Sequence, residues 1–243
     1  MPVIRIDLAY DGTDFHGYAR QPGVRTVQSE LEEALSRRFG TLRTEVAGRT
    51  DAGVHAAHQV VSFTLPDLPD FASLLIGLRK MLPNDIAVIS CEEAPEGFSA
   101  RYSAQSRTYR YRIHQAPHHD PVHRRFRWHV RWSLDLGAMN EAAALIVGEH
   151  DFASFCRRAK GKATIRTVHN ARWARSAHDL VELEIEARAF CHQMVRSIVA
   201  LCVDVGRGKL PADDVTRVLS ELDRNAGCGA APARGLTLHK VTF

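Results

Sequence analysis

Two periodicities take turns along this chain, and their order limits the fold more than any other feature. Val3 to Tyr10 alternates Val3, Arg5 and Asp7 with Ile4, Ile6 and Leu8, the period-2 pattern of a half-buried strand. Asp11-Gly12-Thr13-Asp14 ends it in a turn. Val27, Leu31, Leu35 and Phe39 then recur at helical spacing, with Thr26 as N-cap and Gly40 as the stop. β-like runs over 42–47 and 58–65 follow. Phe71, Leu74, Leu75, Leu78 and Leu82 mark a second helix, broken by Pro83-Asn84, and 85–91 returns as a strand. The first half reads β-α-β-β-α-β.

The second half begins near Ser103. Arg107, Tyr109, Tyr111 and Ile113 fall on one strand face, and Thr108, Arg110 and Arg112 on the other. After a His-rich loop over 117–121, Phe126, Trp128, Val130 and Trp132 alternate with Arg127, His129 and Arg131, which predicts a half-buried strand with a basic face. A helix is expected over 135–147, then strands over 164–174 and 180–187, the latter alternating Val181, Leu183 and Ile185 with Glu182, Glu184 and Glu186. An apolar helix over 190–205, a helix over 213–222, a loop over 225–235 and a strand over 236–243 complete the chain. The expected class is α+β, a mixed α/β protein of two halves, 1–103 and 104–243, with mainly antiparallel sheets flanked by helices.

No apolar run approaches the ~18 residues of a membrane span, and the start, Met-Pro-Val-Ile-Arg-Ile-Asp, has no signal-peptide pattern, so a cytoplasmic protein is expected. Cys91, Cys156, Cys191, Cys202 and Cys228 are odd in number and scattered, which argues against a disulfide framework or a zinc knuckle. Net charge is +4, too little to prove a nucleic-acid partner, but arginines bunch in the middle. Arg101, Arg107, Arg110 and Arg112 form one group, Arg124, Arg125, Arg127 and Arg131 a second. Arg157, Arg158, Lys160, Lys162, Arg166, Arg172 and Arg175 form a third, with Glu182, Glu184 and Glu186 gathered elsewhere. Such bunching fits a groove that tracks phosphates; solvated strand faces are the other reading.

Between the runs at 42–47 and 58–65 lies Gly48-Arg49-Thr50-Asp51-Ala52-Gly53-Val54-His55. Glycine at both ends and one central carboxylate describe either an Asx-type turn or a loop shaped to present Asp51. With Ala47 before it, this stretch resembles the active-site signature of the tRNA pseudouridine synthase A family. The resemblance extends in order through Tyr10-Asp11-Gly12-Thr13, Thr26-Val27-Gln28, Leu82-Pro83-Asn84-Asp85-Ile86, Phe98-Ser99-Ala100-Arg101, Arg107-Thr108-Tyr109-Arg110-Tyr111, Phe190, Met194-Val195-Arg196-Ser197-Ile198-Val199 and Arg234-Gly235-Leu236. It covers essentially the whole chain.

The resemblance implies an isomerase that detaches a uracil from C1′ and rejoins it through C5 in the anticodon stem-loop of tRNA. It implies no cofactor, and neither G-x-x-x-x-G-K-[ST] nor G-x-G-x-x-G is present. It also implies a homodimer and an active-site cleft between the halves. Asp51 is the implied carboxylate, acting at the sugar or the base or abstracting a ribose proton. Arg196 matches the family arginine that pairs with it, and interrupts an otherwise apolar helix; a solvated face is its other reading. Tyr109 matches the tyrosine that stacks on the target uracil, although a strand-core residue would look the same. Arg49 resembles the arginine that keeps the nucleotide flipped out, Leu236 a pocket-lining residue, and Arg110 is a further substrate-binding candidate.

Two other function classes remain. Asp51, His55 and His58, or His118, His119, Asp120 and His123, are candidate metal ligands for a nuclease, although H-E-x-x-H is absent. A non-catalytic RNA-binding module with basic strand faces is the second. The chain departs from the family pattern at Phe15-His16-Gly17-Tyr18-Ala19-Arg20-Gln21, where Tyr18 takes the usual Trp place, and at Ala200-Leu201.

Overall fold

A computed structural model describes residues 1–157, 163–177 and 179–243. The chain divides into two compact units, Met1–Arg107 with Leu238–Phe243, and Thr108–Thr237.

In the first unit, β1 (Val3–Tyr10) lies between two antiparallel neighbours, β3 (His55–Thr64) and β4 (Ile86–Ala94), with Ile6 opposite Val61 on one side and Cys91 on the other. Its inward residues Ile4, Ile6 and Leu8 are completely buried. Two helices cover the sheet, α1 (Val27–Phe39) and α2 (Phe71–Met81). They contribute Leu31, Leu35, Leu74 and Leu78, each worth about 1.5–3 kcal/mol of burial. The α1 boundary is set locally. Thr26 accepts from the Ser29 amide at 3.2 Å, and Ser29 Oγ accepts from the Thr26 amide at 3.1 Å, a reciprocal capping box. The C-terminal residues join this unit through the Gln105 amide, which donates to the Thr242 carbonyl at 2.8 Å.

The expected strand over 42–47 shrinks to β2 (Glu45–Val46) on the edge of β3. The buried Glu32 carboxylate is the reason: it takes the Thr44 amide at 2.9 Å and the Thr44 hydroxyl at 3.1 Å, removing that segment from the ladder.

In the second unit, β5 (Ser106–Gln115, from Thr108), β9 (Leu180–Ala187), β8 (Ile165–Ala177) and β7 (Gly148–Asp151) follow in sheet order, and β10 (Leu236–Thr242) starts in this unit and runs into the first. The β7–β8 and β8–β9 pairings are antiparallel. Helices α3 (Leu136–Ala144), α4 (Met194–Gly206) and α5 (Asp214–Glu221) belong to this unit. Asn140 of α3 clamps the β8 backbone, donating to the Trp173 carbonyl at 3.0 Å and accepting from its amide at 2.8 Å. α4 buries every side chain except Arg196 and Asp204. It starts later than 190 because Gln193 takes a left-handed conformation, φ 67°, that ends the preceding turn.

The alternating run 126–132 is not one strand. Only β6 (Trp128–Val130) pairs, in parallel, with β5. The Phe126 amide closes a turn onto the His123 carbonyl at 2.8 Å, and Trp132 lies beneath the Arg207 guanidinium, 3.6 Å from the ring centre. Cation–π contact accounts for the exposed aromatic that alternation had assigned to a core. The cysteines also depart from expectation: Cys156 and Cys191 form a disulfide with Cα atoms 5.7 Å apart.

Candidate active site

In the first unit, the loop between β2 and β3 is held at every step. Arg107 is buried, and its Nε and Nη2 donate to the Ala47 carbonyl at 3.0 and 2.6 Å, while Nη1 and Nη2 reach the Ala104 and Arg101 carbonyls. Gln59, fully buried on β3, clamps the next residue: Nε2 donates to the Gly48 carbonyl at 2.6 Å, and Oε1 accepts from the Gly48 amide at 3.4 Å. Thr50 Oγ1 lies 2.8 Å from the Tyr10 hydroxyl, and the Thr50 carbonyl accepts from the Tyr18 amide at 3.0 Å. Burial pushes the Tyr10 phenol up to about 12, against its bonds to Thr50 and Gln59, so it stays protonated near neutrality. The Val54 amide closes the turn onto the Asp51 carbonyl at 3.1 Å, and Gly53, φ 76°, donates to the Phe15 carbonyl at 3.3 Å.

The turn at 11–18 supports this loop from beneath. Gly17 has φ 90°, and a Cβ there would come within 2.9 Å of the Thr50 carbonyl oxygen, so only glycine admits the approach. Arg25 grips the Asp85 carboxylate with two nitrogens at 2.7 and 2.9 Å, and the Asp85 carbonyl accepts from the Asp11 amide at 3.0 Å. Three separate motifs of the sequence therefore converge on one loop. Its exposed members are Arg49 and Ala52, with Asp51 half-buried between buried Thr50 and the open turn. Tyr18, the departure from the usual Trp, is fully buried, its ring centre 6.4 Å from that of Tyr10.

The histidines beside Asp51 are not assembled as metal ligands. His55 is buried, and its Nδ1 accepts from the Gly12 amide at 3.0 Å with Asp11 Oδ1 at 3.1 Å. His58 Nδ1 accepts from the Val241 amide at 3.2 Å, which makes Nε2 the donor to Asp7 Oδ2 at 2.9 Å. Among the described residues, no three His, Cys, Asp or Glu side chains are grouped to hold an ion.

The other expected site residues belong to the second unit. Tyr109 of β5 is buried, edge-on to Phe190 with ring centres 5.2 Å apart. Tyr111, two residues on, donates to the Pro232 carbonyl at 2.8 Å, and its ring lies where a Cβ on Gly235 would collide. Burial raises the Tyr111 phenol, partly offset by the Arg196 and Arg234 charges. Arg196 Nε donates to the Ala231 carbonyl at 2.7 Å, and the Ala231 amide donates back to the Arg196 carbonyl at 2.9 Å. Arg196 thereby ties α4 to the segment that delivers Leu236, buried at the start of β10. Tyr111, Arg196 and the 231–236 segment thus form one connected group.

Arg110 is placed differently. It alternates with Tyr109 along β5 and meets Glu184 at 2.9 Å, while Arg112 meets Glu182 at 3.0 Å. The glutamates expected away from the basic groups are their partners. Arg107 leaves the phosphate-facing set, since carbonyls occupy its guanidinium. Of the third basic group, Arg158, Lys160 and Lys162 lie outside the described residues.

Sequence reasoning missed Gln59 and the loop-holding role of Arg107. The signal for Gln59 was a lone amide in an apolar strand; Arg107 carried none that local reading separates from a basic surface.

The tRNA pseudouridine synthase family model matches residues 8–103 and 142–243. A tRNA pseudouridine synthase A from Frankia casuarinae is 46% identical over 244 residues, covering 99% of this chain and 89% of its own. The protein of that name from Streptomyces griseus is 45% identical, with coverages of 99% and 87%. The one from Thermosipho melanesiensis is 41% identical, with 100% of each chain covered.

Proposed function

Since this chain belongs to the tRNA pseudouridine synthase family, we propose that it isomerises uridine to pseudouridine in tRNA, with Asp51 as the essential carboxylate. The observation that supports Asp51 is the construction of its loop. Buried side chains of Arg107, Gln59 and Tyr10 fix the residues before it, and glycine is required beneath it. A turn with no task does not need such support, whereas a reacting group held to a fraction of an ångström does.

The chemistry assigned to Asp51 is at the sugar. Breaking the C1′–N1 bond leaves positive charge at C1′, and the carboxylate stabilises or captures it. The uracil then turns, C5 bonds to C1′, the C5 hydrogen leaves as a proton and N1 takes one up. Nothing is oxidised or reduced, and no cofactor enters the balance. Tyr109 is assigned the stacking face and hydroxyl for the uracil and its proton. Arg196 is assigned, on the family resemblance, the cation that favours an ionised carboxylate. Arg49 and Leu236 are assigned to the flipped nucleotide and its pocket. Arg110, pre-set by Glu184, is assigned to the RNA backbone.

The anticodon arm as target, a homodimer as the working assembly and the cytoplasm as the compartment rest on the family resemblance; no described helix is long and apolar enough to cross a membrane. Tritium release from unmodified tRNA transcribed with 5-tritiated uridine tests the reaction. Wild type should release tritium with or without EDTA, and Asp51→Asn should not. Binding without release from any tRNA in a synthase-deficient cell would refute the enzyme and favour an RNA-binding module.

A further inference from the structure

We propose that a basic pocket beside the histidine-rich loop of the second unit seats a backbone phosphate of bound tRNA, an inference that rests on tRNA being the substrate. The cavity holds about 230 Å³, against roughly 30 Å³ for one water, and is lined by His114, His119, Asp120, Arg124, Arg127, His129 and Arg234. Three guanidinium groups face one carboxylate, so the lining is cationic even with every imidazole neutral. Guanidinium donors match phosphate oxygens in pairs.

The single carboxylate is already saturated. Asp120 Oδ1 accepts from the Val122 and His123 amides at 2.9 and 3.2 Å, and Oδ2 from His123 Nδ1 at 2.6 Å and Arg127 at 3.4 Å. It shapes the loop and leaves most of the Arg127 donors unspent. The histidines point the same way. His114 Nε2 donates to the His118 carbonyl at 3.2 Å, and His129 Nε2 to the Ala116 carbonyl at 2.9 Å. A nitrogen that donates to a carbonyl carries a proton and is lost to a cation. His114 is 5% exposed, and its Nδ1 is buried with no hydrogen-bond partner. The rings of His114 and His129, both in the lining, are 5.8 Å apart. A divalent metal would meet three guanidinium groups, and no three described His, Cys, Asp or Glu side chains are grouped to hold one. The lining therefore fits an oxyanion.

The test compares full-length wild type, Arg124→Gln/Arg127→Gln and Arg217→Gln, a control on exposed α5. tRNA dissociation constants are measured over a range of salt, and histidine ring resonances are followed by NMR as inorganic phosphate is added. The pocket variant should flatten the slope of log Kd against log salt by roughly 0.7–0.9 for each phosphate the pocket no longer neutralises, and the control should not. His114 and His129 signals should move with phosphate in wild type and stay still in the pocket variant. An unchanged slope overturns the proposal even if free phosphate binds, because the site then takes a small anion and not RNA. Equal flattening by Arg217→Gln overturns it as well, since the attraction is then diffuse. Tritium release by the same wild-type preparation separates this failure from failure of the parent reading: active enzyme with an unchanged slope loses only the pocket.

Discussion

Gln59 holds Gly48 from both sides, donating to its carbonyl at 2.6 Å and accepting from its amide at 3.4 Å. A fully buried side chain on the strand after the Asp51 loop thus replaces the backbone pairing that the loop gives up. Gln59→Leu keeps the bulk and removes both bonds. Each stranded buried polar group costs about 1–3 kcal/mol, so the variant should unfold at lower urea, and turnover should fall more than tRNA affinity. Equal losses of turnover and affinity would show that Gln59 does not position Asp51.

Arg107 makes the same argument at the other end of the turn. Its guanidinium satisfies the carbonyls of Ala47, Ala104 and Arg101. Arg107→Met should destabilise the protein by about 3 kcal/mol or more, read by denaturant titration, with Arg107→Lys in between because one ammonium cannot span three carbonyls. If Arg107 instead tracked phosphates, the methionine variant would keep wild-type stability and lose tRNA affinity.

What could be read in advance was whatever local signals decide. α1 was legible to the residue because Thr26 and Gly40 bracket it, and β9 because alternation alone sets its faces. The Asp51 loop was legible as a motif, but its supports were not: Arg107 acts on a carbonyl 60 residues away. The glutamates of β9 looked separate from the arginines of β5 because only strand register brings Arg110 to Glu184, 74 residues on. The run 126–132 misled for a local reason, since arginine alternating with tryptophan serves cation–π stacking as well as a strand face.

Asp7 sets an acid limit on the first unit. Burial pushes its carboxyl pKa up, but the bonds from His58 at 2.9 Å and Arg5 at 2.7 and 2.9 Å outweigh it, and the pKa is lowered. A carboxylate lowered on folding stabilises the protein above its unfolded pKa, about 3.9, and that contribution fades as pH falls through the folded value. Asp7→Asn should therefore be less stable than wild type at pH 7, and the gap should narrow below about pH 4. Urea midpoints at both pH values decide it; a gap of constant size would mean that Asp7 acts through shape and not charge.

Arg196 carries two roles that one pair of substitutions separates. Its Nε ties α4 to Ala231, ahead of Leu236, and its charge is assigned to the reaction. Arg196→Met removes both. Arg196→Lys keeps the charge and loses the Nε bond. If charge is what the chemistry needs, the lysine variant should retain turnover well above that of the methionine variant, while both show the same loss of stability, on the order of 1–2 kcal/mol for one buried carbonyl left without its donor. Single-turnover tritium release at saturating tRNA isolates the chemical step from binding. Equal inactivity of the two variants, with equal destabilisation, would assign Arg196 to positioning the 231–236 segment and remove it from the reacting groups.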